Sequence, residues 1–170
     1  MSEPVHGNRL IQAYNRMMER LAEWEQEALG RGLERAVERA VELGELTREE
    51  ARQVADFVKR DLQAAGRYMA RGGRDLAGWL RFDLDLIEER LLDLFRSAAD
   101  RTKLELLELQ EDLEQSVHYR TGEITGPGTL RCEHCGRELQ FHATAHIPPC
   151  PGCQGSQFER VREAEEEAGD

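Results

Sequence analysis

Two C-x-x-C pairs, Cys132-Glu133-His134-Cys135 and Cys150-Pro151-Gly152-Cys153, stand near the C-terminus with residues 136–149 between them. A thiolate is a soft donor, and Zn²⁺ takes four such donors in a tetrahedron at about 2.3 Å. Each C-x-x-C turn presents two sulfurs from one tight loop, and two such turns joined by a short hairpin close the tetrahedron. The chemistry indicated is one structural Zn²⁺ held by Cys132, Cys135, Cys150 and Cys153. Catalytic zinc keeps a position open for water, usually with three protein ligands, whereas four thiolates fill the shell. The same donors also suit iron in a rubredoxin-like site, a redox dithiol pair or two disulfides, and the spacing leaves these as alternatives.

The residues around the cysteines fit a ribbon. Gly136, Gly152 and Gly155 free the backbone at the two turns, and Pro148 and Pro149 stiffen the entry to the second. Leu139 and Phe141 alternate with Glu138, Gln140 and His142, as in a strand with one buried face, and Leu130 and Phe158 complete a small core. A unit of about 40 residues buries too little apolar surface to fold alone, so the metal supplies much of its folding free energy. His134, His142 and His146 read as surface or supporting residues beside the site.

No other constellation points to catalysis. There is no phosphate-cradling G-x-x-x-x-G-K-[ST] loop, no G-x-S-x-G and no His-Glu-x-x-His. Asp83 with Asp85 and Glu88 with Glu89 read as a solvated helix face. The sequence therefore indicates no catalytic and no organic-cofactor residues, and a protein that is not an enzyme. Arg67, Arg71, Arg74 and Arg81 form the one basic concentration. They balance charge in an acidic chain, or touch phosphate or an acidic partner.

The elements that carry the ribbon are helical. Leu10, Tyr14, Met17, Leu21, Trp24 and Ala28 are spaced alternately by four and three, a heptad-like seam. Gly30 and Gly32 punctuate the chain, and Leu33, Ala36, Val37, Ala40 and Val41 form a second stripe ending near Gly44. Thr47 and Glu50 form a capping box that opens a third helix, with Ala51, Val54, Val58, Leu62 and Ala65 on one face. Asp56 and Arg60 are spaced to pair on it. Gly66 to Arg74 reads as a connection. Leu80, Leu84, Ile87, Leu91, Leu94 and Ala98 then repeat the alternation, and Leu106, Leu109, Leu113 and Val117 continue it in a new frame. This predicts one nearly continuous helix from Leu76 to Val117, roughly 60 Å long at 1.5 Å per residue. A break at Thr102, with Glu105 completing a capping box, is the alternative. Trp24 and Trp79 read as core or interface anchors.

The expected fold is thus mainly α: a long antiparallel, coiled-coil-like helical bundle over residues 1–119, a linker over 120–128 with one short strand, a β zinc ribbon over 129–161, and an acidic disordered tail over 162–170. The first eight residues read as a loose leader. The composition agrees, with 39% hydrophobic and 34% charged residues suiting helices that bury a narrow seam. The net charge of −11 argues against nucleic acid and anionic membrane as partners. No run of apolar residues is long enough to span a bilayer, and the N-terminus does not read as a secretory signal. With thiols kept reduced, these features place the protein in the cytoplasm. The partners expected are another protein or a second copy of the chain through the helical seam. Nucleic-acid or ribosome association through the ribbon is the main alternative, and a thiol-redox or zinc-dependent enzyme the next.

Gly44-Glu45-Leu46-Thr47, Asp61-Leu62, Thr102-Lys103-Leu104-Glu105, Asp112-Leu113, Tyr119 with Thr121-Gly122-Glu123, both cysteine pairs and Gln157-Phe158 together make a recognisable order. In it the chain resembles the YbeL-like family of bacterial zinc-ribbon proteins. The resemblance implies a helical region followed by a ribbon in a bacterial cytoplasm, and implies no activity or substrate. Gln154 departs from it, standing where a glycine is commoner, with Gly155 one place later.

Overall fold

The computed structural model of the chain describes residues 5–23, 28–70, 76–108 and 118–160. Helices α1 (Val5–Glu23), α2 (Leu29–Glu42), α3 (Arg48–Ala70), the short α4 (Leu76–Leu80) and α5 (Glu89–Glu108) precede six short strands. The strands are β1 (His118–Arg120), β2 (Ile124–Thr125), β3 (Gly128–Cys132), β4 (Glu138–Phe141), β5 (Ala145–His146) and β6 (Gln157–Arg160). The fold is mainly α, followed by a small β region that carries the cysteines. Among the described residues no helix is long and apolar enough to cross a membrane.

Helix α3 lies at the centre, against α1, α2, α4 and α5. Its expected stripe, Ala51, Val54, Val58, Leu62 and Ala65, is buried, and Ala55, Phe57, Ala64, Tyr68 and Met69 widen it. Helix α1 buries Ala13, Tyr14, Met17, Met18 and Leu21, a broader face than a narrow seam. Ala28 is exposed, and Trp24 lies outside the described residues. Gly30 and Gly32 sit inside α2 and do not interrupt it. A Cβ at Gly32 would come within 2.8 Å of Leu21 Cδ2, so this glycine lets α1 and α2 approach closely.

The turn from α2 to α3 follows its sequence signals. Gly44 adopts φ 71°, and the N–H groups of Gly44 and Glu45 donate to the carbonyls of Val41 (3.1 Å) and Ala40 (3.0 Å). This is a Schellman ending, which needs a left-handed residue at that place. The Thr47 N–H donates to Glu50 Oε1 (3.0 Å) and the Glu50 N–H to Thr47 Oγ1 (3.1 Å), completing the capping box. Thr47→Ala is expected to lower stability by about 1 kcal/mol, read as a shift in the urea midpoint with unchanged slope. Glu45 fastens this turn to α1 through Arg20 (2.8 Å) and Arg16 (3.3 Å). Desolvation raises its carboxyl, but these two guanidiniums outweigh it and hold it below the usual range.

The long helix expected from Leu76 to Val117 is broken after Leu80. Arg81 takes a left-handed φ of 65°, and Asp83 Oδ1 accepts the Asp85 N–H at 3.0 Å to start a separate 3-10 turn at Leu84–Leu86. A side chain that bonds its own backbone in this way competes with the helix. Apolar spacing hides the break, because Leu80, Ile87, Leu91 and Ala98 are buried on both sides of it. Helix α5 is about 30 Å long at 1.5 Å per residue. Leu109, Leu113 and Val117 lie outside the described residues.

Thr102 and Glu105 do not open a helix, since α5 runs through them. Thr102 Oγ1 donates to the Ala98 carbonyl at 2.8 Å. Glu105 Oε1 accepts the Leu29 N–H at 2.8 Å and so caps α2, whose own N-cap residue Ala28 makes no side-chain bond. One turn earlier, Arg101 donates to the Leu21 carbonyl at 2.9 Å near the end of α1. An acid at a helix start and a base at a helix end both complement the helix dipole. Gly66, expected in a connection, lies within α3. A Cβ there would stand 3.1 Å from both Lys103 N and Thr102 Cγ2, so α3 and α5 cross closely at this point.

In the β region, β1-β6-β3-β4 form an antiparallel four-stranded sheet and β2 pairs with β5. Leu130, Phe141 and Phe158 are buried as expected, joined by Tyr119 and Ile147. Residues 120–128, read as a linker, contribute β2 and the start of β3 and bury Ile124 to Gly128. Ile124 belongs to the helical core itself. Residues 162–170, read as an acidic tail, lie outside the described residues.

Candidate metal centre

The two C-x-x-C turns share one local plan. In the first, the Cys132 N–H donates to the Arg137 carbonyl (2.8 Å) and the Gly136 N–H to the Cys132 carbonyl (3.0 Å). In the second, the Cys150 N–H donates to the Gly155 carbonyl (2.9 Å) and the Gln154 N–H to the Cys150 carbonyl (2.8 Å). The residue after each second cysteine is left-handed: Gly136 at φ 82° and Gln154 at φ 63°. Gln154 itself adopts the conformation a glycine would, and Gly155 does a different job. A Cβ on Gly155 would lie 3.1 Å from Cys153 Sγ and 3.3 Å from Cys132 Sγ, so its missing side chain makes room for sulfur.

These turns bring all four Sγ atoms within 4.8 Å of one another. Cys132 and Cys153 Sγ are 3.6 Å apart, and Cys135 and Cys150 Sγ 3.5 Å apart. Both separations far exceed a disulfide bond of about 2.05 Å. They match the roughly 3.8 Å edge of a tetrahedron with about 2.3 Å metal–sulfur bonds. The donor set and its size therefore fit Zn²⁺. Cys132 and Cys150 are buried, Cys153 is half-buried and Cys135 is exposed.

The thiols are prepared unequally. N–H groups of Cys135 and His134 point at Cys132 and lower it, against desolvation. Desolvation raises Cys150, but the N–H groups of Cys153 and Gly152 outweigh it and bring it down to about 6. At Cys153 the Gly155 N–H favours the thiolate, yet desolvation and the three neighbouring sulfurs push it up to about 12. The backbone N–H groups thus favour the thiolate at Cys132 and Cys150, and the crowding of sulfurs favours the thiol at Cys153. Loading the site near neutral pH is expected to expel the Cys153 proton, visible as acidification of weakly buffered protein on zinc addition. Cys150 is ionised above about 6 and begins to bind protons as pH falls through that value. Affinity is expected to fall as pH is lowered, by about tenfold per pH unit for the Cys153 proton and more steeply below about 6, where Cys150 must also be deprotonated, measured by competition with a chromogenic chelator.

The histidines of the module are elsewhere. His142 packs edge-on against Phe82 at 4.7 Å between centroids, His146 Nδ1 lies 3.3 Å from the Gly122 carbonyl, and His134 is exposed. His118 pairs with Glu133 at 2.9 Å. The acid pairs stay off the site: Asp83 starts its turn, and Asp85, Glu88 and Glu89 are exposed. Of the basic concentration, Arg67 is buried and Arg81 lies against Glu138 (3.4 Å), while Arg71 and Arg74 lie outside the described residues.

Sequence reasoning missed how the ribbon is mounted. Asp61 on α3 is fully buried and accepts Tyr14 OH (2.5 Å), the Gly126 N–H (2.8 Å), Arg160 (3.3 Å) and its neighbour Arg60 (3.4 Å). Arg160, on β6, also donates to Tyr119 OH (2.9 Å) and Thr125 Oγ1 (2.8 Å) and lies over Trp79 at 4.5 Å. Arg60, expected to pair with Asp56, turns to the ribbon instead. It reaches Glu123 Oε1 and the Ile124 carbonyl, both at 2.8 Å, and lies over Tyr119 at 4.0 Å. Gly126 and Gly128 are left without room for a Cβ, which would meet Tyr14 OH at 2.6 Å and Arg160 Nη1 at 2.1 Å. The available signal was Asp61 beside an apolar stripe with no expected partner.

The sequence model of the zinc-ribbon containing domain family matches residues 16–162, across both the helices and the cysteine turns. The chain belongs to this family. Among curated relatives, the uncharacterized protein YbeL of Escherichia coli strain K12 is 31% identical over 117 residues, covering 69% of this chain and 72% of that protein. The same protein in two further Escherichia coli strains matches equally, with 31% identity. No solved structure matches the chain. The zinc-ribbon family match and the cysteine geometry agree, and the residues of the YbeL-like resemblance have physical work to do. Glu45 grips α1, Asp61 and Glu123 fasten ribbon to helices, and Glu105 caps α2.

Proposed function

We propose that this is a non-enzymatic zinc-binding protein, with one structural Zn²⁺ held by Cys132, Cys135, Cys150 and Cys153, and that helices and ribbon form a cytoplasmic protein-interaction or regulatory module. The observation that carries the reading is the closed set of four sulfurs within 4.8 Å of one another. When bound, the metal supplies cross-linking of the two turns, with no coordination position left for water or substrate. The chain's own N–H groups and Gly155 shape the site around the thiolates.

The helices are read as an antiparallel, coiled-coil-like bundle, a reading supported by the short connection between α2 and α3. Leu104 and Leu107, three residues apart on α5, are 58% and 46% exposed, which supports a protein partner or a second copy on that face. Nucleic acid is disfavoured by the ribbon's charge as well as by the whole chain's. From Thr121 to Arg160 the bases are Arg131, Arg137 and Arg160. Arg160 is buried against Asp61 and Arg131 pairs with Glu159 at 3.0 Å, which leaves Arg137 as the exposed base of that stretch.

A pull-down with the full chain, with and without chelator and with Cys132→Ser, tests the interaction reading. Loss of the captured protein in both cases is expected. Capture that ignores both metal removal and the substitution contradicts a ribbon-mediated role, and capture of RNA or DNA in its place points to the nucleic-acid alternative.

A further inference from the structure

We propose that the metal state of the ribbon is transmitted to the helical region through the Asp61–Arg160 and Arg60–Glu123 contacts, so that zinc loading and the packing of α1 and α3 are thermodynamically linked. The inference rests on zinc occupying the four-cysteine site.

Each cysteine turn has its own short route to the helices. Cys132 ends β3 opposite Phe158, and two residues earlier Leu130 stands opposite Arg160. The Glu133 N–H donates to the Gln157 carbonyl (3.0 Å), which ties the first turn to the start of β6. Fixing Cys132 therefore fixes the register that delivers Arg160 to Asp61. On the other side, Ile147 and Pro148 lead into Cys150. The Gly122 N–H donates to the Ile147 carbonyl and the Ile147 N–H to the Glu123 carbonyl, both at 2.8 Å. Thr121 Oγ1 donates to the Pro148 carbonyl at 3.1 Å. The Glu123 so placed holds Arg60 of α3.

The receiving end is demanding. Asp61 has no solvent exposure, and of its described partners Tyr14 and Arg60 (3.4 Å) come from the helices while the Gly126 N–H and Arg160 come from the β region. A buried carboxylate that loses such donors must be re-hydrated, which requires α1 and α3 to part around Tyr14. Linkage is reciprocal, so an intact helical anchor must in turn slow metal loss, and couplings of this kind typically amount to 5–150-fold.

Two experiments on the full chain test this, after native mass spectrometry has shown zinc bound. In the first, hydrogen exchange is compared with and without chelator. Peptides over residues 10–18 and 55–66 are expected to exchange about tenfold faster once zinc is removed. Helical peptides that keep their rate while ribbon peptides exchange freely overturn the linkage. In the second, zinc release to a chromogenic chelator is timed for Asp61→Asn, with exposed Asp56→Asn on the same helix as control. Release from Asp61→Asn is expected to be about fivefold faster or more, and from Asp56→Asn unchanged. Equal rates for Asp61→Asn and the wild type overturn the proposal. A chain that carries no zinc contradicts the functional reading itself, whereas a chain that loses zinc without disturbing α1 and α3 contradicts the linkage alone.

Discussion

Replacing Cys150 by serine, or removing the metal with a chelator, is expected to abolish the ordered structure of residues 118–160. The largest strand has five residues and two have only two, so backbone pairing alone holds little. The core beneath them is Tyr119, Leu130, Phe141, Ile147 and Phe158 with the buried cysteines. Fully burying a large apolar side chain contributes about 1.5–3 kcal/mol, which ordering the same number of residues largely cancels. Structural zinc contributes about 10–16 kcal/mol in small zinc-folded units near neutral pH, as much as the entire stability of an ordinary domain. Amide resonances of the ribbon collapsing to unfolded positions in a nitrogen–proton correlation spectrum is the outcome expected. Cys150 is the choice because it is fully buried, whereas exposed Cys135 could be replaced by water in the shell at lower cost. Retained dispersion in Cys150→Ser, or in chelated protein, shows that the strands fold without the metal.

The second large effect is expected at Asp61, far from the cysteines in sequence. Asp61→Ala removes the acceptor shared by Tyr14, Gly126, Arg160 and Arg60, and leaves Arg160, itself 8% exposed, as an uncompensated buried cation. Breaking a buried pair by deleting one partner costs about 3–5 kcal/mol. For a chain of this size that corresponds to a fall in melting temperature of roughly 6–20 °C, at 2–4 °C per kcal/mol. Tyr14→Phe removes one hydrogen bond to the same carboxylate and is expected to cost about 1–3 kcal/mol. Burial, and the carboxylate of Asp61 beside it, hold Tyr14 well above its ordinary value, so it stays a proton donor throughout the accessible pH range. A melting temperature for Asp61→Ala within about 2 °C of wild type, no more than about 1 kcal/mol, means the junction is hydrated and the ribbon only tethered.

The parts of this architecture legible in the sequence are those set by local rules. The cysteine spacing located the candidate metal centre because a C-x-x-C turn is a local structure, and Thr47 with Glu50 marked a helix start for the same reason. Helical spacing identified the buried faces of α2 and α3. The missed features depend on distant residues. Glu105 looked like half of a capping box with Thr102, and it does cap a helix, but the helix is α2 at Leu29. Arg60 looked like a partner for Asp56 one turn away, and a better one lay across the interface at Glu123. Residues 120–128 looked like a linker because glycine, threonine and proline are common in linkers. Here the glycines are needed for close approach, at Gly126 by Tyr14 and at Gly128 by Arg160. The helix break at Arg81 to Glu88 escaped notice because the apolar residues on either side keep the same spacing. Spacing reports which face is buried and carries no record of chain continuity.

Native mass spectrometry of the full-length chain tests the central claim most directly, since it reports metal identity, stoichiometry and oligomeric state in one spectrum. The account predicts one zinc ion per chain, its binding accompanied by loss of thiol protons, and none in a Cys132→Ser, Cys150→Ser double variant. A folded chain whose mass shows iron, or no metal with two internal disulfides, contradicts it.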